Sequence, residues 1–252
     1  MQERIRELPI DVRLGMSVTA LDNTDSGVTA TFTDGTAADY DLVVGSDSVF
    51  SVVRDIAFPH MGAPEETGQG CWRVSMKRPP DFDLGEFYFG HQYTAGITAC
   101  GPDSIYLFLL TPHIERETFM TDEELFDTLR DHLAGFGGNA GWVRDTMTRD
   151  DWINYRPLAA KLQPAPWFNG RIVLLGDSVH ATTPHLASGA GMAVESALVL
   201  AEELEKAGDV VSGLAAYQER RFERCKHVVD TSISVGALQL AGGSPDEIGG
   251  LI

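Results

Sequence analysis

Apolar and polar side chains alternate with a period of two along the N-terminal part of the chain, as in half-buried strands. Turn sequences at residues 25–27 and 34–35 interrupt the alternation. The pattern predicts a small antiparallel meander and then a short buried strand over residues 41–44. Residues 1–8 are typical of the last turns of a helix, which Pro9 ends. The alternating apolar positions are Val12, Leu14, Val18, Leu21, Val28, Ala30 and Phe32.

The middle of the chain contains four strand-like runs that are rich in aromatic residues. They cover residues 71–79, 86–93, 96–101 and 104–111. Thr121 and Glu124 then form a capping box, which starts a helix that Gly135 or Gly137 would end. This region is predicted to be a second lobe made of an antiparallel sheet and a helix.

The C-terminal part returns to a buried strand over residues 171–175, followed by a loop and two helices. The first helix is predicted over residues 191–208 and the second over residues 212–238. Residues 241–252 have the composition of a loose tail. The resulting fold class is α/β, with α+β character in the middle lobe.

The composition excludes several kinds of partner. The chain has 252 residues and a formal net charge of -18, so nucleic acid and anionic membranes are not expected to bind. No apolar run reaches the length of a membrane helix, and charges occupy the place of a signal peptide's apolar segment. The three cysteines lie far apart, which is typical of a reducing cytoplasm.

The loop after residue 175 contains Gly176, Asp177, Ser178 and His180, which allows more than one interpretation. One alternative is a Gly-Asp-Ser serine hydrolase with Ser178 as nucleophile. Two features weaken this alternative. The motif lies late in the chain, and a spacing of two residues does not by itself direct the His180 ring toward Ser178. A metal site at His180 and His185 is not predicted, because Pro184 prevents the two from sharing a helix face.

The same loop has the chemistry of a flavin site. Asp177 follows a buried strand, where α/β sheets bind their ligands, and its carboxylate can accept hydrogen bonds from polyol hydroxyls. Pro184 stiffens the loop, and Gly189, Ala190 and Gly191 open the next helix. Free backbone N–H groups at a helix start, with few Cβ atoms, suit the electron-rich edge of a flat ring.

Two segments resemble the FAD motifs of class A flavoprotein monooxygenases, the family of p-hydroxybenzoate-hydroxylase-like and salicylate-hydroxylase-like enzymes. Residues 170–204 are similar to the second FAD motif, and residues 41–55 to the Asp-Leu-x-x-Gly-Ala-Asp-Gly motif. Tyr217 and Arg221 resemble the Tyr-x-x-x-Arg of the following helix. The resemblance implies an FAD-binding domain at 1–62 and 166–252, and a substrate-binding sheet and helix at 63–165.

The resemblance also implies an activity. NAD(P)H would reduce FAD, and a C4a-hydroperoxyflavin formed with molecular oxygen would hydroxylate a small aromatic or heteroaromatic ring. Asp177 would bind the ribityl hydroxyls, and Pro184 and residues 189–191 would line the flavin ring. Asp47 and Arg54 would serve the pyrophosphate and the nicotinamide nucleotide; the alternative for both is a strand-end turn with a local ion pair.

The middle lobe supplies the candidate catalytic residues. Arg73, His91 and Tyr155 are candidates for contacting an acidic substrate or moving its proton, and a surface or structural role is an equal alternative for each. Aromatic residues of the strand-like runs would form either a pocket wall or the core. They are Trp72, Tyr88, Phe89, Tyr93, Tyr106 and Phe108.

The chain departs from the family pattern at several points. Ser46 and Ser48 replace the usual Ala and Gly, and Ser48 stands in a turn that prefers glycine. Ser196 replaces an Asp of the helix after the Gly-x-Gly turn. No N-terminal Gly-x-Gly-x-x-Gly segment is present. The alternatives that follow are a truncated or noncatalytic homologue, or one that a complementary N-terminal chain or a homodimer completes.

Overall fold

A computed structural model of the chain describes residues 2–79, 81–90, 93–115 and 118–252. Contacts between residues group them into two units. The first unit contains Met1–Ala63, Gln163–His180 and Ala190–Glu223, and the second contains Pro64–Leu162, Ala181–Gly189 and Arg224–Ile252. The expected C-terminal segment, 166–252, is thus divided between the two units.

The first unit begins with helix α1 (Gln2–Arg6) and an antiparallel meander. The meander consists of β1 (Val18–Asn23), β2 (Val28–Phe32) and β3 (Ala37–Tyr40), in that spatial order. Val28 and Ala30 on β2 are buried, as their alternation with polar residues predicts. Residues 12–14, which show the same alternation, lie in no strand.

A small mixed sheet of three short strands forms the centre of the first unit. Its order is β10 (Phe168–Asn169), β11 (Ile172–Leu174) and β4 (Val43–Gly45), with β11 parallel to β4. Short helices follow both parallel strands, α2 (Val52–Ala57) after β4 and α5 (Asp177–His180) after β11. The long helices α6 (Gly189–Lys206) and α7 (Val210–Leu240) come next in the chain.

The second unit is built on a five-stranded antiparallel sheet of order β6-β7-β8-β5-β9. The strands are β5 (Glu65–Lys77), β6 (Glu86–Phe89), β7 (Thr94–Ala99), β8 (Ser104–Pro112) and β9 (Trp152–Leu162). Helices α3 (Asp122–His132), α4 (Gly138–Thr146) and α8 (Pro245–Gly249) complete it. The first four strands and α3 with its capping box lie where the sequence pattern predicts them, whereas β9, α4 and α8 were not predicted.

The two faces of the five-stranded sheet differ. On one face Trp72 and its cross-strand neighbour Leu109 lie in a core cluster with Phe126 of α3 and Val143 of α4. On the other face Arg73 pairs with Phe108, and both are only partly buried. Because side chains alternate along a strand, one face is closed by helices. The other, which we call the open face, has partly exposed side chains at Arg73 and Phe108 beside a small buried cluster of Cys71, Leu110 and Leu158. Among the described residues, no helix is long and apolar enough to cross a membrane.

Candidate functional site

The two FAD-like motifs meet at one edge of the small mixed sheet. Gly45 at the end of β4 lies opposite Leu174 at the end of β11, and the strands run parallel. The loops that carry Asp47 and Asp177 therefore leave the sheet at the same, carboxyl edge. A Cβ placed on Gly176 would lie 3.8 Å from Ser46 Oγ, which shows how close the two loops come.

Ser178 joins these loops and is fully buried. Its Oγ lies 2.6 Å from the carbonyl oxygen of Gly45 and 2.8 Å from that of Leu175, to which the hydroxyl donates. His180 turns elsewhere, with Nε2 at 3.0 Å from Ser196 Oγ. Ser178 thus has no histidine base in the described part of the chain, and the geometry does not favour the serine hydrolase alternative.

The side chain of Arg54 also contacts these loops. Its side chain is 1% exposed, and Nη1 donates to the carbonyls of Val49 at 3.0 Å and Ser178 at 3.2 Å. Nη2 lies 3.4 Å from Asp55. These contacts fit the alternative of a strand-end turn with a local ion pair. The Nε of Arg54 is buried and has no hydrogen-bond partner among the described residues.

Asp47 accepts hydrogen bonds at the start of helix α2, whose N-cap residue is Ser51. One carboxylate oxygen accepts a hydrogen bond from Ser51 Oγ at 2.5 Å, and the other accepts one from the backbone N–H of Val53 at 3.0 Å. Between Asp47 and Ser51, Ser48 has a φ of +78°. This is the left-handed conformation that favours glycine, as expected for the position where the family has one.

Asp177 presents a free acceptor at the carboxyl end of β11. Its side chain is exposed, and no hydrogen bond to it is found among the described residues. Partial desolvation by the surrounding protein raises the pKa of this carboxyl above its usual range. Gly176 before it has a φ of +70°, so the turn that places Asp177 at the surface needs glycine.

The first turn of α6 offers backbone donors. The helix starts at Gly189, and Ala190 and Gly191 are exposed. The first N–H groups of a helix have no partner within it, and a Cβ on Gly191 would meet no atom within 4 Å. Pro184 begins a short 3-10 turn, Pro184–Leu186, earlier in the same loop and is exposed.

Ser196 and its neighbour Glu195 on α6 both contact Arg221. Arg221 of α7 is buried, and its Nη1 lies 2.5 Å from the Glu195 carboxylate. Arg221 Nε also donates to Ser196 Oγ at 3.1 Å. A carboxylate thus lies beside Arg221 one residue before the position of Ser196. Tyr217, the other motif residue of α7, donates to the carbonyl of Leu174 at 3.3 Å.

The structure separates the candidate catalytic residues. Arg73 lies on the partly open face of the sheet, while Tyr155, opposite Trp72 on β9, lies on the helix-covered face. The two cannot contact one small molecule together. Burial raises the pKa of Tyr106 on the open face, although the neighbouring Arg73 opposes this shift. His91 lies outside the described residues.

The six candidate aromatic residues have three different environments. Tyr88, Phe89 and Tyr93 line a cleft of about 780 Å³ together with His132 and Phe136. Trp72 is fully buried in the core. The remaining two lie on the open face, Tyr106 opposite Ser75 and Phe108 opposite Arg73.

Sequence reasoning missed two polar clusters of the second unit. In one, His113 Nδ1 lies 2.9 Å from Tyr155 OH. In the other, His185 Nδ1 lies 2.7 Å from Thr183 Oγ1. His113 and Tyr155 lie 42 positions apart in the chain, so no local pattern indicates their contact. His185 and Thr183 are only two residues apart, but this spacing alone does not indicate a hydrogen bond. Among the described residues, no group of His, Cys, Asp or Glu could hold a metal ion.

Comparison with known proteins agrees with the class that the fold and the two loops define. A family model described as FAD binding domain matches residues 1–232. The chain belongs to this family, that of the class A FAD-dependent aromatic monooxygenases.

Two relatives and one solved structure illustrate the similarity. The chain is 32% identical over 231 residues to 2-heptyl-3-hydroxy-4(1H)-quinolone synthase of Pseudomonas aeruginosa, covering 90% of this chain and 59% of that protein. It is 30% identical over 224 residues to 6-hydroxynicotinate 3-monooxygenase of Bordetella bronchiseptica, covering 84% of this chain and 57% of that protein. The crystal structure of Klebsiella pneumoniae HpxO complexed with FAD and uric acid has a TM-score of 0.79 at 21% identity, covering 94% of this chain and 60% of that chain. The chain thus spans less than two thirds of the length of the relatives it matches.

Proposed function

We propose that the protein acts as an FAD- and NAD(P)H-dependent monooxygenase, which uses molecular oxygen to hydroxylate a small aromatic or heteroaromatic ring. The observation that carries the proposal is the shared edge of β4 and β11, where the loops of Asp47 and Asp177 emerge side by side. Family membership supports it, and so do relatives named for reactions on heteroaromatic rings.

We also propose that the protein is cytoplasmic, since Cys71, Cys100 and Cys225 are free thiols.

The described residues fit a flavin at this edge. Asp177 has free acceptor oxygens for the ribityl hydroxyls. The N–H groups of the first turn of α6 suit the electron-rich edge of the ring, and Gly189 and Gly191 leave the backbone accessible. Pro184 holds the preceding loop in a fixed conformation. When bound, FAD supplies the electron transfer and the oxygen activation.

In this proposal, Asp47 and Arg54 hold the turn before α2 in place beside the flavin. Asp47 fixes the turn before α2, and Arg54 ties that turn to the carbonyl of Ser178. The turn would thereby present its backbone to the pyrophosphate side of the cofactor. A buried, carbonyl-bound guanidinium is more suited to this role than to direct contact with a nucleotide.

The open face of the five-stranded sheet is the proposed substrate surface. Arg73 would hold an acidic group of the substrate, and Phe108 beside it would contact the ring. Phe108 leans over Gly96, where a Cβ would overlap its ring, so the aromatic surface lies flat against the sheet. His91 and Tyr155 stay candidates for moving a proton, but Tyr155 would do so from the opposite face.

The free edge of β4 supports a complementary N-terminal segment, on the same or another chain, as partner. Among the described residues β4 pairs only with β11, and Val44, Phe50 and Val52 are 41%, 75% and 40% exposed. A groove of about 750 Å³ lies beside Val44 and Asp47. An added strand would satisfy the unpaired backbone groups of β4 and cover these apolar side chains.

FAD retention tests the proposal. The purified protein is mixed with FAD, with and without the N-terminal segment of a relative as a separate polypeptide, and desalted. We expect a visible flavin spectrum and NAD(P)H oxidation that an aromatic acid stimulates. Asp177→Ala should weaken FAD binding at least about tenfold, since hydrogen bonds to a charged acceptor are lost. The exposed Asp150→Ala is the matched control. A protein that stays colourless in both arms would overturn the proposal.

A further inference from the structure

The helix-covered side of the five-stranded sheet contains three titratable side chains in a line. Tyr155 OH accepts a hydrogen bond from the backbone N–H of Ile114 at 2.9 Å and lies 2.9 Å from His113 Nδ1. His113 Nε2 in turn lies 3.6 Å from a carboxylate oxygen of Glu66. We call Glu66, His113 and Tyr155 the relay cluster. The exposed fraction of its members rises along the line, from 8% at Tyr155 to 59% at Glu66.

Local backbone features hold the relay cluster in place. The β5–β9 pairing shifts register between Glu66 and Gly70, which is a bulge that re-aims the strand. The backbone N–H of His113 donates to the carbonyl of Gly68 inside this bulge at 2.8 Å. A Cβ at Gly70 would overlap the Tyr155 hydroxyl, so the hydroxyl occupies a place that only glycine leaves open.

The protonation states in the relay cluster follow from its contacts. Burial raises the pKa of Tyr155, so its phenol keeps its proton and can donate it to His113 Nδ1. A histidine that accepts this hydrogen bond at Nδ1 carries a proton on Nε2. The 3.6 Å between Nε2 and Glu66 is too long for a hydrogen bond. The Nε2–H of His113 and the carboxylate of Glu66 therefore face the same small space without a hydrogen bond between them.

The space beside the relay cluster is a cavity of about 220 Å³. Its walls include the apolar side chains of Ile114, Phe119, Met120 and Leu125, together with Thr118 and Arg156. A single aromatic ring fits such a volume, and a hydroxyl on it could donate to Glu66 while accepting from His113 Nε2. A ring without a hydroxyl would leave both polar groups unpaired.

We propose that this cavity is a second small-molecule site, which binds a one-ring phenol through Glu66 and His113. It lies on the face opposite Arg73 and does not depend on the proposed monooxygenase activity. Tyr155 acts in it as a positioning residue, because it orients His113 through Nδ1.

Calorimetric titration of the intact protein without FAD tests this site. Phenol should bind at least about tenfold more tightly than toluene or anisole, which lack the hydroxyl proton. Glu66→Gln and His113→Gln should each weaken phenol binding at least about tenfold, with no change for toluene. Tyr155→Phe should weaken phenol binding while the other residues of the site are retained.

The neighbouring Glu65→Gln is the matched control, because Glu65 pairs with Lys161 at 3.1 Å and not with His113. Circular dichroism confirms that each variant is folded, and Glu66 is exposed enough for its substitution to be tolerated. Equal affinity for phenol and toluene, or no loss in folded Glu66→Gln and His113→Gln, would overturn the proposal. Because FAD is absent, the outcome is independent of flavin retention.

Discussion

Single side chains decide whether the loops of the small sheet keep their shape. Ser178 bonds the backbone of β4 from the end of β11, and Asp47 accepts a hydrogen bond from the first turn of α2. The assignment of Asp47 to the cofactor stays a prediction. Its contacts within the turn could not be predicted, because a turn contact and a ligand contact use the same carboxylate. It identified Ser48 as a residue in a glycine position, and the positive φ agrees.

Ser48→Gly should stabilise the protein. A side chain in the left-handed region costs about 1–2 kcal/mol, and part of that gain is offset by the larger unfolded-state entropy of glycine. We expect the free energy of unfolding to rise by about 0.5–1 kcal/mol in urea denaturation. Ser46→Gly, two residues earlier and without a positive φ, is the control and should lower stability. A loss of stability in Ser48→Gly would contradict the assignment of strain.

Whole elements were predictable where a local pattern determines them. The alternation in β2 and the capping box of α3 are both visible in the sequence and present in the structure. The segment 12–14 has alternation but no strand partner, so the pattern alone was insufficient. Helix α8 lies where a loose tail was predicted, although its capping box at Ser244 and Glu247 is visible in the sequence. Strand β9 depends on pairing with the distant β5.

The contact between α6 and α7 should depend on Glu195. Arg221 is buried, so removing its carboxylate partner leaves a guanidinium charge with fewer bonds. Glu195→Gln should lower the free energy of unfolding by about 2 kcal/mol, measured by urea denaturation.

Glu202→Gln on the same helix is the control for Glu195→Gln. Glu202 pairs with Arg220 at the surface, and this change should cost less than about 1 kcal/mol. Equal effects of the two substitutions would show that Glu195 has no special role.

At the scale of the whole molecule, the burial of histidine side chains affects how the stability of the protein depends on pH. The net charge of -18 comes from an excess of carboxylates, while His180 is fully buried and His185 is partly buried. Burial lowers the pKa of His180 and of His185 to about 4. Composition indicates the net charge, but it cannot show which histidines are buried, since that depends on the tertiary contacts of their loop.

The protein should lose stability between pH 7 and pH 5. An unfolded histidine takes up a proton near pH 6.5, whereas the buried rings stay neutral down to about pH 4. The unfolded state therefore binds more protons in this range. Stability is complete above about pH 6.5 and falls with decreasing pH by about 2 kcal/mol for each ring at pH 5.

Urea denaturation at both pH values checks this prediction. His185→Gln should remove its share of the pH dependence, while His60→Gln, at an exposed position, should leave the dependence unchanged. A pH dependence that His185→Gln does not alter would contradict the assignment to this ring.

The alternation of side chains in the five-stranded sheet gives it two faces whose residues are neighbours in sequence. Arg73 belongs to one face, and Trp72, whose ring is tilted against that of Tyr155 with the centroids 4.6 Å apart, belongs to the other. A substitution can therefore change one face of the sheet without replacing a side chain on the other, although both faces share the same five strands.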